Sequence, residues 1–260
     1  MQQYRVIGYP IAHSLSPRMH THHFKLQHIT ACYEKLELKE LHSNLQLLQQ
    51  LDGFNVTVPH KETIISYLDE IDDLAKDIGA VNTVVRQHGK LKGYNTDALG
   101  FYKSFATWCV PTTASILIVG AGGAAKAVYY ALKRHGYETI RVANRTLEHA
   151  QAFTSQVLSL AAASEQLATV DVIINTTSVG LVKGECPLDL TQLRSHTKVM
   201  DLIYKPAETT LLAEASRRGC DIKNGLEMLA YQGALAFEIW YEQPADEQAM
   251  IKVLQEALQC

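Results

Sequence analysis

The chain has 260 residues and a formal net charge of −3 at pH 7, and 47% of its residues are hydrophobic. This length and composition suffice for one large domain or two modest ones. The nearly balanced charge provides no field that would gather nucleic acid or an anionic membrane, and the apolar runs are too short to span a bilayer. We therefore predict a globular protein that binds neither nucleic acid nor membranes.

The amino terminus and the cysteines indicate the compartment. The opening residues, MQQYRVIGYPIAHS, have no basic segment followed by a long apolar stretch, so they do not resemble a signal peptide. The cysteine count is odd, the spacing is wide and no C-x-x-C pair occurs. This pattern is typical of reduced thiols rather than of a disulfide or zinc framework, and we expect a cytoplasmic protein.

Strand-like and helix-like segments alternate along the chain, which predicts an α/β fold with mainly parallel strands. The strand candidates of the first half are YRVIGYP, CYEKLEL and GFNVTVP. Ser16 and Pro17 resemble a helix N-cap followed by proline at the first helical position. The segment NTVVRQHGKLKGYNTD predicts a hairpin with His88-Gly89 at its turn, which places Gln87 opposite Lys90.

The second half opens with an apolar strand that leads through a glycine turn into a helix, ASILIVGAGGAAKAVYYALKRHGY. Further strand candidates are TIRVANRT, VDVIINTTSVG and TKVMDLIY. We place the boundary between the halves at about residues 98–113, with a second crossing near Gly225. From there the pattern is helical to the end, apart from a break at Gln243-Pro244.

The hexapeptide GAGGAA fits the dinucleotide-binding fingerprint, because it follows a strand and opens a helix. Gly120 permits the tight turn, Gly122 lets the backbone approach a pyrophosphate, and Ala125 packs the helix on the strand. The diphosphate would meet the unpaired N–H groups of the helix N-terminus. The alternative is a tight connection without a ligand.

The tip of the next strand distinguishes the two nicotinamide cofactors. Proteins that bind NAD usually carry Asp or Glu there, whereas this chain has Asn144-Arg145-Thr146. Arg145 can hold a 2′-phosphate with its planar guanidinium and stack on adenine, which favours NADP. The alternative is that Thr146 caps the next helix and Arg145 is solvated.

Polar residues of the first half are candidates for binding a small molecule. In an extended segment Ser14 and Ser16 would direct both hydroxyls to one side, a geometry suited to a carboxylate, but from the residues alone a helix cap at Ser16 and a turn residue at Ser14 are the favoured explanation. In the predicted hairpin Asn82 faces Asn95, and Asp97 lies on the same face two residues further along, so Asn82 and Asp97 can converge on one ligand. The alternative is that they are ordinary polar residues at the end of a hairpin, without a ligand.

The histidines near the amino terminus do not predict a metal site. His20, His22 and His23 lie close together, with His13 and His28 nearby. Their spacing on one helix scatters them around its circumference, whereas a metal needs several convergent ligands. We expect solvated or capping roles for them.

This set of motifs resembles the shikimate dehydrogenase family over essentially the whole chain, with no departure at a position that carries the family's chemistry. The matching segments are SLSP at Ser14, NVTVPHK at Asn55, GAVNT at Gly79, GYNTDALG at Gly93, GAGGAA at Gly120, ANRT at Ala143, NTTSVG at Asn175, DLIYKP at Asp201 and NGLEMLAYQG at Asn224.

The resemblance implies NADPH-dependent, reversible reduction of 3-dehydroshikimate to shikimate in aromatic amino-acid biosynthesis. It also implies two α/β domains: an N-terminal substrate-binding domain, formed by residues 1–100 with 233–260, and an inserted Rossmann-type doubly wound NADP-binding domain, residues 101–232. The expected partner is the small-molecule substrate alone, and the chain would be a monomer or a homodimer.

The resemblance further implies a role for individual residues. Lys61 and Asp97 would be catalytic, with Lys61 as proton donor in reduction and acceptor in oxidation, unless Lys61 is a solvated cation at the start of a helix. Substrate would be held by Ser14, Ser16, Thr57, Asn82, Tyr204 and Gln232, with the serines on its carboxylate. The NADP site would comprise Gly120, Gly122, Gly123, Ala124, Ala125, Asn144, Arg145, Thr146, Leu202, Gly225 and Met228, with Asp73 as an acidic position near the cofactor.

Helical spacing supports part of this assignment independently. If GLEMLAYQGALAFEIW is a helix, Met228 and Gln232 lie one turn apart beside a packing stripe that includes Gly233 and Trp240. They could meet nicotinamide and a sugar-like hydroxyl, or they could simply flank the core.

Two other functions remain open at this point. A relative that also accepts quinate would be distinguished by NAD use and by tolerance of an extra hydroxyl, and Arg145 opposes its NAD-preferring form. A dinucleotide-sensing module without catalysis would need only the Rossmann half, and it would need neither Lys61 nor Asp97.

Overall fold

The computed structural model describes residues 1–259, which form two compact units. The first unit comprises Met1–Phe101 and the residues from Leu229 onward, and the second comprises Tyr102–Met228. Both boundaries fall inside continuous helices. Gln232 belongs to the first unit, whereas the boundaries expected from the sequence put it in the second domain, residues 101–232.

The first unit contains six strands and most of the helices that flank them. In chain order these elements are β1 Gln2–Gly8, α1 Ser16–Leu26, β2 Ala31–Glu37, α2 Leu45–Leu48, β3 Gly53–Val56, β4 Glu70–Ile71, α3 Asp73–Ile78, β5 Thr83–Gln87, β6 Lys90–Tyr94 and α4 Asp97–Ala106. Two 3₁₀ turns, His42–Asn44 and Thr63–Tyr67, complete the connections.

These strands form one mixed sheet in the order β2-β1-β3-β5-β6-β4. β1 runs parallel to β2 and β3, whereas β5 is antiparallel to β3 and β6. The predicted hairpin is confirmed, since Gln87 pairs with Lys90. His88 and Gly89 have φ of 52° and 79°, as expected for a two-residue turn whose twist matches that of its strands.

The two faces of this sheet are covered differently. One face packs the buried apolar side chains of a cluster that includes Ile7, Phe54 and Val84. On the opposite face Tyr4 and Tyr33 meet the aromatic rings of α1 and of the C-terminal helix α9 Leu226–Tyr241, including Trp240. Burial of this kind is the main stabilising contribution to such a sheet.

The expectation of solvated histidines is wrong for two of them. His20 and His23 are both fully buried, whereas His22 and His28 are exposed. The His20 ring stacks on Tyr33 with 4.5 Å between centroids, and His23 meets the edge of Phe237 at 4.3 Å. An imidazole can pack as an aromatic ring, so α1 buries these two on its inner face.

The second unit follows the doubly wound pattern. Its elements are β7 Ile116–Val119, α5 Gly123–Arg134, β8 Ile140–Ala143, α6 Leu147–Gln151, β9 Val157–Leu158, α7 Leu160–Glu165, β10 Val172–Asn175, β11 Lys198–Asp201, α8 Thr210–Arg217 and β12 Asp221–Asn224. All six strands are parallel, in the order β12-β11-β10-β7-β8-β9. Starting from β7, the chain adds β8 and β9 on one side and then β10, β11 and β12 on the other. This is the Rossmann-type arrangement that the sequence predicts.

Two helices end the chain, α9 and then α10 Glu247–Leu258. They are separated where the sequence predicted a break, at Gln243-Pro244. No helix among residues 1–259 is long and apolar enough to cross a membrane.

Candidate active site

The candidate residues of the first unit lie in segments that adjoin the ends of β1, β3, β5 and β6, all at the same end of the sheet. Thr57 follows β3, and Ser14 lies in the loop after β1, which runs parallel to β3. Asn82 precedes β5 and Asp97 follows β6, and because β5 is antiparallel to both neighbours these ends lie at the same edge. The topology therefore gathers residues that are far apart in sequence.

The central feature of this edge is an ion pair. Lys61 Nζ lies 2.6 Å from Asp97 Oδ2, and the two side chains are only 12% and 7% exposed. Removing two charges from water is costly, and the attraction between them often fails to repay that cost. A buried pair of this kind at a strand edge is therefore poor evidence for stability and better evidence for chemistry.

The backbone around Lys61 is held from both sides. The Lys61 carbonyl accepts a hydrogen bond from Val81 N at 2.8 Å. The preceding residue, His60, is buried and makes a 2.8 Å hydrogen bond through Nε2 to the Leu38 carbonyl. These contacts fix the backbone from which the Lys61 side chain reaches Asp97.

Asn82 and Gln232 form the second contact pair, and backbone groups hydrogen-bond to both amides. Asn82 Oδ1 accepts from Thr96 N at 2.7 Å, which directs its Nδ2 toward Gln232 Oε1 at 3.3 Å. Gln232 Nε2 in turn donates to the Leu229 carbonyl at 2.8 Å. A Cβ added at Gly100 would lie 2.7 Å from Gln232 N, so the glycine allows α4 and α9 to approach at this point.

The serine segment differs from its prediction in two ways. Leu15 has φ −95° and ψ −3°, so Ser14–Ser16 is a turn and not an extended segment. Helix α1 begins with Ser16, after an N-cap residue, Leu15, that provides no side-chain hydrogen bond. Ser14 Oγ accepts from Ser16 N at 3.4 Å, and both serines are buried. Ser16 is therefore not the helix cap, whereas the Ser14 hydroxyl makes the local contact that a turn residue would make.

Asp97 also differs from expectation, because β6 ends at Tyr94 and Asp97 is the first residue of α4. It does not continue the strand face of Asn95. The start of the helix, rather than the alternation of a strand, directs its carboxylate to Lys61.

Four further buried polar residues escaped the sequence analysis: Tyr33, Asn55, Thr83 and Thr96. They connect to one another and to Asn82 by hydrogen bonds. The available signal was Asn55, an amide within a short apolar strand, since a buried amide requires partners.

In the second unit, the glycine turn after β7 shows two distinct constraints. Gly120 has φ +112°, and an added Cβ would lie 2.4 Å from Thr176 Oγ1, so the fold itself requires glycine there. Gly122 has φ −87° and ψ −172°, and an added Cβ would meet no described atom within 4 Å. The fold does not require glycine at Gly122, whereas close approach of a ligand would.

The tip of β8 lies at the same carboxyl edge of this parallel sheet. Arg145 and Thr146 are exposed, and Asn144 Nδ2 donates to the Thr146 carbonyl at 2.7 Å. Thr146 is the N-cap residue of α6 but makes no side-chain cap hydrogen bond. Capping therefore does not account for this segment, and Arg145 is accessible to an anionic group.

The remaining cofactor candidates of this unit follow β11 and β12. A Cβ at Gly225 would lie 2.0 Å from the Leu202 carbonyl oxygen, so these two segments touch backbone to backbone.

Asp201, just before Leu202, is fully buried, and burial raises the pKa of its carboxyl despite hydrogen bonds from Ile203 N, Thr209 and Asn175. Tyr204 lies half-buried after β11, and Met228 is buried in α9.

Asp73 stands apart from the other candidates. It lies at the start of α3 in the first unit, 95% exposed, with Lys76 Nζ at 3.0 Å. Its assignment to the cofactor rests on the resemblance alone. Within residues 1–259, no three or more His, Cys, Asp and Glu side chains are grouped to hold a metal ion.

Comparison with known proteins identifies the family. Three family profiles match: the shikimate dehydrogenase substrate-binding domain over residues 6–84, shikimate/quinate 5-dehydrogenase over 106–182, and the shikimate 5′-dehydrogenase C-terminal domain over 225–255. The shikimate dehydrogenase (NADP⁺) of Bacillus cereus strain AH187 is 47% identical over 255 residues, which cover 92% of each chain.

Solved structures agree with this assignment. Shikimate dehydrogenase from Aquifex aeolicus superposes with a TM-score of 0.91 and 38% identity, covering 98% of each chain. Shikimate 5-dehydrogenase from Thermus thermophilus, in complex with NADP(H) and shikimate, superposes with a TM-score of 0.89 and 36% identity, covering 99% of this chain and 100% of that one. The chain belongs to the shikimate dehydrogenase family.

Proposed function

We propose that the chain catalyses the reversible, NADP-dependent reduction of 3-dehydroshikimate to shikimate, with Lys61 and Asp97 as its proton-transfer centre. The observation that supports these roles is the buried 2.6 Å ion pair at the strand edge. A dinucleotide sensor without catalysis would need no such pair.

The chemistry follows from the charge that develops during reduction. When bound, NADPH supplies a hydride to the carbonyl carbon, and the electron pair of the C=O bond moves onto oxygen. The Lys61 ammonium stabilises this negative charge and delivers a proton to it, which completes the alcohol. Asp97 accepts a hydrogen bond from Lys61 Nζ and so directs another of its N–H groups toward the substrate. In oxidation the neutral Lys61 amine takes the proton back.

The amide pair beside it fits the hydroxyls of the substrate. The 3.3 Å contact from Asn82 to Gln232 is longer than the other hydrogen bonds these two amides make. A substrate hydroxyl inserted there would accept from Asn82 Nδ2 and donate to Gln232 Oε1. We assign Ser14 and Ser16 to the carboxylate, and Thr57 and Tyr204 to further polar contacts.

For NADP, we assign the diphosphate to the turn from Gly120 through Ala125 and the 2′-phosphate to the tip of β8, Asn144 to Thr146. Support comes from the free space at Gly122 and from the exposure of Arg145. Leu202, Gly225 and Met228 complete the proposed nicotinamide side, with Asp73 as a peripheral contact.

Replacement of Lys61 by Met tests the catalytic assignment. Lys61→Met keeps the volume of the side chain and removes the proton, so turnover should fall by roughly 10² to 10⁴. NADP affinity, measured by fluorescence titration, should be unchanged. Lys90→Met is the matched control, because Lys90 forms an exposed ion pair with Glu70, and it should retain full activity. Turnover of Lys61→Met within a few-fold of wild type would rule out the role.

Quinate is the second substrate to measure, since the profile over residues 106–182 describes a shikimate/quinate 5-dehydrogenase. Rates with shikimate and quinate should be compared using NADP and then NAD. We expect shikimate with NADP to be preferred; comparable rates on quinate with NAD would favour a dual-specificity enzyme.

We also propose a cytoplasmic enzyme that is a monomer or a homodimer. The free thiols of Cys32, Cys109, Cys186 and Cys220 support a reducing compartment. Light scattering on the purified protein distinguishes the two oligomeric states.

A further inference from the structure

A chain of buried hydrogen bonds connects β2 to the amides proposed to hold the substrate. Tyr33 OH lies 2.6 Å from Asn55 Oδ1, and Asn55 Nδ2 lies 3.0 Å from Thr83 Oγ1. Thr83 Oγ1 is in turn 3.2 Å from both Asn82 Oδ1 and Thr96 Oγ1. We call Tyr33, Asn55, Thr83 and Thr96 the polar relay; each is at most 6% exposed.

Backbone carbonyls fix the direction of these hydrogen bonds. Asn55 Nδ2 also donates to the Asn82 carbonyl at 3.2 Å, and a carbonyl can only accept. Asn55 Oδ1 must therefore face Tyr33, whose hydroxyl donates to it. Thr83 Oγ1 accepts a hydrogen bond from Asn55 Nδ2. The Thr83 hydroxyl proton is therefore available to Asn82 Oδ1 or Thr96 Oγ1.

The direction of the relay determines what Asn82 presents to a ligand. Asn82 Oδ1 accepts from Thr96 N at 2.7 Å and from the Thr83 hydroxyl at 3.2 Å, and Asn82 Nδ2 therefore donates to Thr96 Oγ1 at 2.8 Å and to Gln232 Oε1 at 3.3 Å. If the amide rotated by half a turn, two carbonyl oxygens would face each other across the position of the substrate hydroxyl. That arrangement would repel both Gln232 and a hydroxyl that must accept from Asn82.

Stability does not require this arrangement, since polar groups in a core are costly unless every one is satisfied, and apolar side chains of the same shape often serve as well. We propose that the polar relay is a positioning device: Tyr33, Asn55 and Thr83, without touching the substrate, lock the Asn82 amide in the orientation that binds a substrate hydroxyl. The inference rests on the proposed substrate contact of Asn82 and Gln232.

The first test compares two substitutions at Thr83. Thr83→Val keeps the shape and deletes the hydroxyl, whereas Thr83→Ser keeps the hydroxyl. Loss of one orienting hydrogen bond should raise the KM for shikimate about threefold to tenfold in Thr83→Val. Thr83→Ser should restore it, and the KM for NADP should stay at the wild-type value in both.

A second variant tests the far end of the relay. Tyr33→Phe removes only the hydroxyl and leaves the ring stacked on His20. It should also raise the KM for shikimate, although two residues of the relay, Asn55 and Thr83, separate Tyr33 from Asn82. Thermal melting of every variant records its stability separately.

Matched controls come from buried hydroxyls outside the relay. Tyr137 donates to the Val110 carbonyl at 2.8 Å, and Thr197 donates to the Val170 carbonyl at 2.9 Å. Tyr137→Phe and Thr197→Val should therefore lose stability without a change in the KM for shikimate.

A double-mutant cycle separates this inference from the proposed function. Asn82→Ala should itself raise the KM for shikimate, and in that background Thr83→Val should add nothing further. If Asn82→Ala leaves the KM unchanged, the substrate contact fails and the inference with it. If Asn82→Ala raises the KM but Thr83→Val and Tyr33→Phe only lower the melting temperature, the relay is structural and the inference alone is overturned.

Discussion

At the tip of β8, Arg145 occupies the place where NAD-specific proteins present a carboxylate. A carboxylate would repel a 2′-phosphate, whereas a guanidinium can hold it with two parallel hydrogen bonds. Arg145→Ala should therefore raise the KM for NADP about tenfold to a hundredfold, the equivalent of roughly 1.5 to 3 kcal/mol for a charge-assisted contact. Steady-state kinetics with shikimate saturating provides the measurement.

The KM for shikimate should remain near its wild-type value in the same variant, and the preference for NADP over NAD should shrink. Arg134→Ala is a suitable control, since Arg134 is an exposed arginine of the same unit that contacts only the Tyr130 hydroxyl among the hydrogen bonds described for it. Unchanged NADP kinetics in Arg145→Ala would remove Arg145 from the cofactor site.

Individual residues differ in how far the sequence could place them. Lys61 and Asp97, to which the resemblance assigns the catalytic roles, are hydrogen-bonded to each other; the sequence identifies them because they lie in the matching segments NVTVPHK and GYNTDALG. Asn55 and Tyr33 were missed, since their contact depends on the register that sets β2, β1 and β3 side by side. His20 was placed in solvent because its burial arises from the partners of α1, and a helix's own sequence does not specify these.

Elements were predictable where local physics determines them. The hairpin of β5 and β6 was found with its register because a two-residue turn leaves little freedom. The start of α1 was placed one residue late, and the segment Ser14–Ser16 was expected to be extended, because Leu15 takes up the cap position without a capping side chain. The two-residue strands β4 and β9 carry too short a pattern to detect.

The turn between β7 and α5 allows a test at the level of the element. Gly122 has an ordinary φ and free space around it, so Gly122→Ala should fold with an unchanged melting temperature. Its methyl group would occupy the position where the diphosphate approaches the helix N-terminus. The KM for NADP should rise about fivefold to a hundredfold, the equivalent of about 1 to 3 kcal/mol of steric overlap.

The neighbouring glycine provides the contrast. Gly120→Ala should destabilise the fold by about 1 kcal/mol or more, because φ is +112° and the added Cβ would crowd Thr176. Calorimetry and NADP titration of both variants separate the two roles. A lowered melting temperature in Gly122→Ala, with unchanged NADP affinity, would mean that Gly122 is needed for folding of the turn and not for binding of NADP.

At the scale of the whole chain, stability should depend on pH through two buried histidines. Burial lowers the pKa of His20 to about 3, with a smaller contribution from His23, and burial likewise lowers the pKa of His23 despite the opposing charge of Asp246. Both His20 ring nitrogens are buried and have no hydrogen-bond partner among residues 1–259. The folded state therefore holds His20 neutral, whereas the unfolded chain protonates it below about pH 6.5.

Because the folded pKa is depressed, the stabilising contribution of neutral His20 is fully present above about pH 6.5 and is lost as the pH falls toward 3. The free energy of unfolding should decrease by about 1.4 kcal/mol per pH unit in that interval, or about 2 kcal/mol from pH 6.5 to pH 5. His23 should add to this loss. Urea unfolding at successive pH values measures the slope.

Trp240 makes a selective reporter, since its ring lies 5.1 Å from that of His20 and the chain has only one other tryptophan. In a Trp108→Phe background, fluorescence should follow the first unit alone.

His20→Phe retains an aromatic ring on Tyr33 and removes the titration of the imidazole. It should therefore flatten the slope of unfolding free energy between pH 6.5 and pH 5, even if its larger ring lowers the stability at pH 7. His42→Gln, at an exposed position of the first unit, should leave the slope unchanged. An equally steep acid dependence in His20→Phe would assign the lost stability to other groups, because the substituted ring has no proton to bind.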